Sequence, residues 1–535
     1  MLFNSFVFLT LFLPIALTVY YAVGARSPRL AASWLCLSSF VFYGAWAPAF
    51  VALLAASIAF NYGMSRAILA CAPRSRGRRA WLATAICIDI GLLVRYKYWA
   101  VTAGALIEWF GLSPHGWLAH TSASVVLPLG VSFFTFTQIG YLLDCNAGIV
   151  KRSDALGFVQ FVTFFPHLIA GPILHHKEMM TQFAQGETYR LRAENISIGA
   201  SVFTIGLAKK LLLADPIAPY ADAGFAAPGA LGALPAWGTA LAYALQLYFD
   251  FSGYSDMAVG LAKMFGVRFP LNFNSPFKAA SIIDFWQRWH MTLTRYLTAY
   301  LYYPLSMRIN RRRASRGLPI GRAAQGSPSG FAATIAVPTF YTMGLAGIWH
   351  GAGLQYLIYG LLHAAYLTVN HAWRNWRASR GGPAPSSTGF GARVRHVAGV
   401  STTFVAALVA FVFFRAHGVS DALAMLKAMA GMRGLGANAW PPLDAGVHGF
   451  AWLRLALGRT MPAPLVALAL AIAWFAPNSH EWMGRFSPAL ERASGAVPAR
   501  LAWFPSWRWT AVVVLLVLVC AAQLHGEVRF LYFQF

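Results

Sequence analysis

Runs of about 20 apolar residues, the length a helix needs to cross the hydrocarbon core of a bilayer, recur along this chain. Clear examples are 3–23, 31–47, 49–69, 123–143, 195–214, 237–260, 331–349, 353–372, 396–414, 461–476 and 510–525. Soluble domains cannot bury so many. Composition agrees: 58% of residues are hydrophobic, 15% are aromatic and 11% are charged. A soluble protein carries roughly 25% charged residues to keep its surface solvated. The pattern predicts an all-α polytopic membrane protein with about 11–13 membrane helices plus re-entrant or interfacial pieces. The first run has no basic n-region and reads as a membrane helix, not a cleaved signal.

Three stretches do not fit simple spans. Residues 80–112 are interrupted by Arg95-Tyr96-Lys97-Tyr98, so they form one long helix or two pieces. Residues 157–174 and 271–305 are hydrophobic but studded with Pro, His and charge. Irregular or polar backbone survives at membrane depth only where protein or a water-filled cavity surrounds it. Both therefore read as re-entrant or interfacial pieces, enclosing something.

The net charge of +25 comes from 42 Lys and Arg against 17 Asp and Glu. The basic residues cluster in short loops between apolar runs, the pattern of cytoplasmic loops facing anionic lipid; no nucleic-acid partner is expected. Arg74, Arg76, Arg78 and Arg79, the six arginines of 307–322 and the five of 373–395 place those loops in the cytoplasm. Residues 216–235 carry no Lys or Arg and are placed outside, with both termini. Only 376–392 reads as a flexible loop, so 1–535 is taken as a single membrane domain with a core at about 123–372. The five cysteines show no metal or disulfide spacing.

Ionisable residues are costly inside a membrane and are functional candidates there by default. Residues 246–305 concentrate them: Asp250, Asp256, Asp284, Arg288 and His290, among Trp286 and Trp289. His350 follows in GIWHGAG, beside Trp349 and between Gly347, Gly351 and Gly353. Either it packs against a neighbouring helix, or the glycines leave room for a substrate whose hydroxyl proton it takes. His290 reads as a direct participant or as the anchor of a polar pocket wall. Asp284 and Arg288, four apart, can pair on one helix face. An aspartate at depth either orients a histidine or pairs with a lysine. His167, His175 and His176 lack zinc spacing, so no metal is expected. Walker, dinucleotide and serine-hydrolase motifs are absent from the sequence.

These residues resemble the membrane-bound O-acyltransferase family, in the bacterial branch that includes the alginate O-acetyltransferase membrane subunit and the teichoic-acid D-alanylation protein. The resemblance runs through MLFNSFVFLTLFLPI, LLVRYKYW, LPLGVSFFTFTQIGYLLD, TFFPHLIAGPIL, LQLYFDFSGYSDMAVGLAKMFG, NFNSPFKAASIIDFWQRWHMTLTRYL, GIWHGAG, FFRA and RFLYFQF. It implies a helical funnel and O-acyl transfer, with His350 catalytic and His290 the second active-site position. Arg288 would orient or stabilise, and Asp250, Asp256, Asp284, Trp286 and Trp349 would support. Tyr532, in the terminal LYFQF, would be an acyl relay or an interfacial anchor. The implied donor is a cytoplasmic thioester, acetyl-CoA, with no bound cofactor. The implied acceptor is an extracytoplasmic acetyltransferase or acyl-carrier partner that modifies a polysaccharide, at a bacterial inner membrane. The alginate branch carries an Arg-Asp pair after its first histidine motif, and the family usually has glutamine at the place of His167; this chain has neither, and the glycan stays open among an exopolysaccharide, a cellulose-like polymer and peptidoglycan. D-alanyl transfer to teichoic acid is the alternative cargo. A transporter or flippase is the alternative class, against which no repeated halves are visible.

Overall fold

Serine and proline set several of the helix starts. Ser27, Ser75 and Ser506 each accept a backbone N–H from the first turn of the helices Pro28–Gly44, Arg76–Leu93 and Trp507–Ala521, satisfying a donor that would otherwise be orphaned. Proline at the first or second helical position serves Pro28–Gly44 and Val337–His350, because its missing N–H is not needed there. The computed structural model describes residues 1–113, 116–118, 125–380, 389–436, 463–491 and part of 493–524, and among these every regular element is helical.

Among the described residues, five of the helical runs contain a turn of π-helix: Phe8–Phe12, Val94–Tyr98, Lys209–Ala214, Thr298–Tyr302 and Ala332–Ala336. A π turn admits an extra residue without ending the helix. The polar interruption at Arg95–Tyr98 is therefore absorbed: Arg76–Leu93 runs through the π turn into Trp99–Phe110. The run read as ending at residue 214 likewise continues to Ala226. Four described stretches are long and apolar enough to cross a membrane unaided: Pro48–Ala70, Ala193–Ala226, Pro328–His350 and Phe390–Arg415. Phe8–Gly24, Pro464–Phe475 and Trp507–Ala521 are shorter apolar helices. Leu11, Ile15, Val514, Leu515 and Leu518 are exposed, as lipid-facing side chains must be. The chain is an all-α polytopic membrane protein.

The helices gather into two units. The first comprises Met1–Ala208, Gly253–Leu271 and Ser479–Gln534. Its core is aromatic: Phe3 stacks on Tyr254 at 4.8 Å and on Phe42 at 5.6 Å, and Phe165 meets Phe42 at 5.2 Å and Phe12 at 5.4 Å. Two helical segments cross through glycine, with a side chain at Gly199 reaching within 2.6 Å of the Gly260 carbonyl oxygen. Small residues at such crossings let backbones touch, which is how helices associate where lipid gives no hydrophobic drive. The stretch 157–174 is broken as expected: Ala155–Thr163 stops before Phe165–Leu168, and Phe158 and residues 160–174 are buried throughout. Arg78, read from the sequence as a loop residue, lies in the first turn of Arg76–Leu93; it is buried and donates to the carbonyl of Cys145, capping the end of Val131–Ala147.

The second unit comprises Lys209–Ser252 and Asn272–Asn478. Its centre is a helical hairpin, Val337–His350 and Leu354–Ser379, joined by a turn at Gly351–Gly353. A side chain at Gly347 would meet the Tyr356 carbonyl and lie 3.1 Å from the Gly360 Cα. Gly347→Ala should therefore overpack the hairpin and cost about 1–3 kcal/mol, read as a lower melting temperature of the purified protein.

Candidate active site

The segment 271–305 breaks its helix at His290, and the break is built from long-range hydrogen bonds. Within the second unit, the Oδ1 of Asn272 accepts from the Thr292 hydroxyl at 2.8 Å and from the Thr292 backbone N–H at 3.4 Å. The Met291 N–H donates to the Asn272 carbonyl, and the Asn274 N–H donates to the Arg288 carbonyl, both at 2.9 Å. Asn478 donates to the Asn274 Oδ1 and the Ser275 hydroxyl, each at 3.0 Å. These bonds hold His290 at φ 42° and ψ 51°, in the left-handed region. A non-glycine residue there costs on the order of 1–3 kcal/mol, and such strain persists where the surroundings over-determine it, often at active sites.

The same network fixes the proton on the His290 ring. Its Nδ1 lies 2.9 Å from the Asn272 Oδ1. The Thr292 N–H identifies that atom as the amide oxygen, which only accepts, so Nδ1 carries the hydrogen. In the neutral ring Nε2 then presents a lone pair. It has no hydrogen-bond partner among the described residues, although the residue is 1% exposed. Phe251 meets the ring edge-on at 4.8 Å. His290 is thus a held acceptor.

His350 is the last residue of Val337–His350 and is buried. Trp349, Phe414 and Tyr359 enclose its ring at 4.9, 5.0 and 5.9 Å. The neighbouring glycines are taken up by protein: besides Gly347 against the facing helix, a side chain at Gly351 would strike the Tyr356 ring and one at Gly353 the Gln355 side chain. Rings connect the two histidines. His290 meets Phe273 at 6.5 Å, Phe273 meets Trp289 at 5.1 Å, and Trp289 stacks on Phe285 at 5.6 Å. Phe285 stacks on His363 at 6.2 Å, and His363 packs against Tyr359, which touches His350.

His363 was not among the residues singled out from the sequence. It is wholly buried, and the Trp286 indole N–H donates to its Nδ1 at 3.2 Å. Its only sequence signal was its place in GLLHAAY, four residues after Tyr359 on one buried helix face.

The other expected residues have separate places. Arg288 pairs with Asp284 at 2.7 Å and also donates to the Asn274 carbonyl at 3.4 Å, bracing the loop that carries Asn272. Asp250 lies 2.5 Å from Lys210, which also meets Asp215 at 2.6 Å. Asp256 belongs to the first unit, where it accepts from Ser479 at 2.6 Å and lies 3.1 Å from the His480 Nε2. The lysine pairing and the histidine pairing open to these aspartates are thus both realised, one by each. Trp349 is buried beside His350. In the first unit, His167 Nε2 is bonded to the Phe161 carbonyl at 2.7 Å, and His176 Nδ1 lies 2.7 Å from an Asp144 carboxylate oxygen. Tyr532 and residues 381–388 of the 376–392 loop lie outside the described residues.

Paired ion groups and histidines held inside apolar helices mark a candidate functional site within the membrane protein. The sequence pattern of the membrane-bound O-acyltransferase family matches residues 131–318. The chain is 36% identical to a peptidoglycan O-acetyltransferase of Helicobacter pylori, over 81% of each chain. It is 36% identical to the probable alginate O-acetylase AlgI of Pseudomonas aeruginosa, over 80% of this chain and 75% of that one. A teichoic acid D-alanyltransferase of Bacillus subtilis is 28% identical over 48% of this chain and 62% of its own. The chain belongs to the membrane-bound O-acyltransferase family. It is an acyltransferase and a multi-pass protein of the bacterial inner membrane.

Proposed function

We propose that the protein passes an acetyl group from cytoplasmic acetyl-CoA, through the membrane, to an extracytoplasmic partner protein that O-acetylates a polysaccharide. The observation that carries this reading is the pair of buried histidines in the second unit, linked through Phe285, His363 and Tyr359. Acetyl is favoured over D-alanyl because the two relatives named for O-acetylation share 36% identity over about four-fifths of the chain. The relative named for D-alanyl transfer shares 28% over about half. Transport loses its footing once the chain is an acyltransferase.

In this reading His350 is the general base. It takes the proton from the acceptor hydroxyl as the oxygen forms a bond to the thioester carbon. The carbonyl electrons move onto oxygen. When they return, the carbon–sulfur bond breaks and the thiolate recovers the proton from His350. A thioester is already activated, so the step needs no nucleotide hydrolysis. His290, with its lone pair presented, orients a substrate N–H or O–H. Asp284 and Arg288 hold the loop that sets its tautomer, and Trp349 keeps the His350 ring in place.

Membrane vesicles supplied with acetyl-CoA labelled in the acetyl group test the assignment of cargo. Base-labile label is expected in the polysaccharide fraction only when the protein is present. Label arriving from a D-alanyl thioester carrier instead would replace acetyl with D-alanyl.

A further inference from the structure

The hydrogen bond from Trp286 fixes more than the position of His363. An indole N–H can only donate, so the Nδ1 of His363 is the acceptor, and the proton of the neutral ring sits on Nε2. This is the opposite tautomer to His290. The residue is 0% exposed, and Nε2 has no hydrogen-bond partner among the described residues. Its surroundings are aromatic: Phe285 lies parallel to the ring at 6.2 Å, and Trp286, Tyr359 and Tyr366 stand edge-on at 5.1, 4.7 and 5.8 Å. The ring is therefore clamped. Buried N–H groups are almost always satisfied, so one held this firmly calls for a water or a substrate atom as its acceptor.

We propose that His363 is a further catalytic residue, whose Nε2–H donates to the carbonyl oxygen of the acyl group while it is transferred. Its place supports this, because Tyr359 packs against both His363 and the proposed base His350. So does the division of labour. As the acceptor oxygen bonds to the acyl carbon, negative charge builds on the carbonyl oxygen and needs a preorganised donor. His290 offers a lone pair, and His363 offers the proton-bearing nitrogen. The proton stays on Nε2 throughout, since the proton removed from the hydroxyl is carried by His350. Trp286 is then a positioning residue that holds the tautomer.

The proposal rests on acyl transfer at His350, and the test separates the two. Membrane vesicles carrying the full-length variants at equal level, with the acceptor partner and polysaccharide of the labelling assay above, are assayed for transfer from labelled acetyl-CoA, beside wild type and His350→Ala. A wild type that transfers no acetyl, or a His350→Ala variant that transfers it undiminished, refutes the underlying reading and the proposal with it. With that reading intact, His363→Phe keeps the ring shape and loses the donor; kcat should fall about 10²-fold, with a much smaller change in KM. His363→Gln places an amide N–H near the Nε2 position, whereas His363→Asn can serve only the Trp286 side. Gln should therefore exceed Asn in kcat by about tenfold or more. Size-exclusion profiles establish that each variant is folded; should the Phe variant fail there, the Gln and Asn pair decides. Equal activity of the Gln and Asn variants, or wild-type kcat in His363→Phe, overturns the proposal and leaves His363 as packing around a buried water.

Discussion

His350→Ala is expected to lower acyl transfer about 10³-fold, within the range that a lost general base produces, while the protein still accumulates in the membrane. The size follows from the chemistry. A hydroxyl is a weak nucleophile at its own pKa and needs a positioned base, and three packed rings set the position of this one. Removing the imidazole also removes a wall for Trp349, Tyr359 and Phe414, so alanine tests packing and chemistry together. His350→Gln separates them, since it fills most of the volume without a nitrogen that can shuttle a proton. Both variants should be inactive at normal expression. Activity within about tenfold of wild type in the Gln variant would reduce His350 to a packing residue, because a base contributes about 10²–10⁴-fold.

The second large effect is on stability. Lys210 sits in the π turn Lys209–Ala214 with its ammonium between Asp215 and Asp250, and both Lys210 and Asp250 are buried. Lys210→Met keeps the stem and removes the charge, leaving two carboxylates around a site that held a cation. Losing one partner of a buried ion group typically costs about 3–5 kcal/mol, and little folded protein should be recovered. Pairing that change with Asp250→Leu removes the buried one of the two carboxylates and should restore much of the loss. Thermal melts in detergent measure both. A single variant as stable as wild type would mean that the ion group does not secure this helix.

The sequence carried the class of protein and several local features, because those depend on periodicity and short spacing. Apolar runs gave the membrane helices, and the breaks at 157–174 and 271–305 are real breaks, the first at Pro166 and the second held by the hydrogen bonds of Asn272 and Asn274 around the strained His290. The Asp284–Arg288 pair was legible because four residues make one helical turn. What stayed hidden depends on contacts between distant segments. Nothing periodic announces that Trp286 donates to His363, or that Asn272 holds both His290 and Thr292. Asp250 and Asp256 looked like one cluster, yet each falls in a different unit with its own partner. The glycines around His350 suggested space for a ligand; the facing helix takes up the space at Gly347, and the side chains of Tyr356 and Gln355 that at Gly351 and Gly353.

The most direct test of O-acetyl transfer through His350 is chemical. Ester-linked acetate would be measured on isolated envelope and secreted polysaccharides from wild type, from a deletion strain, and from His350→Ala expressed at equal level. One polymer should lose its acetate in both altered strains. Unchanged acetate on every polymer in the deletion would contradict acetyl transfer, and acetate retained in His350→Ala but lost in the deletion would contradict the choice of base.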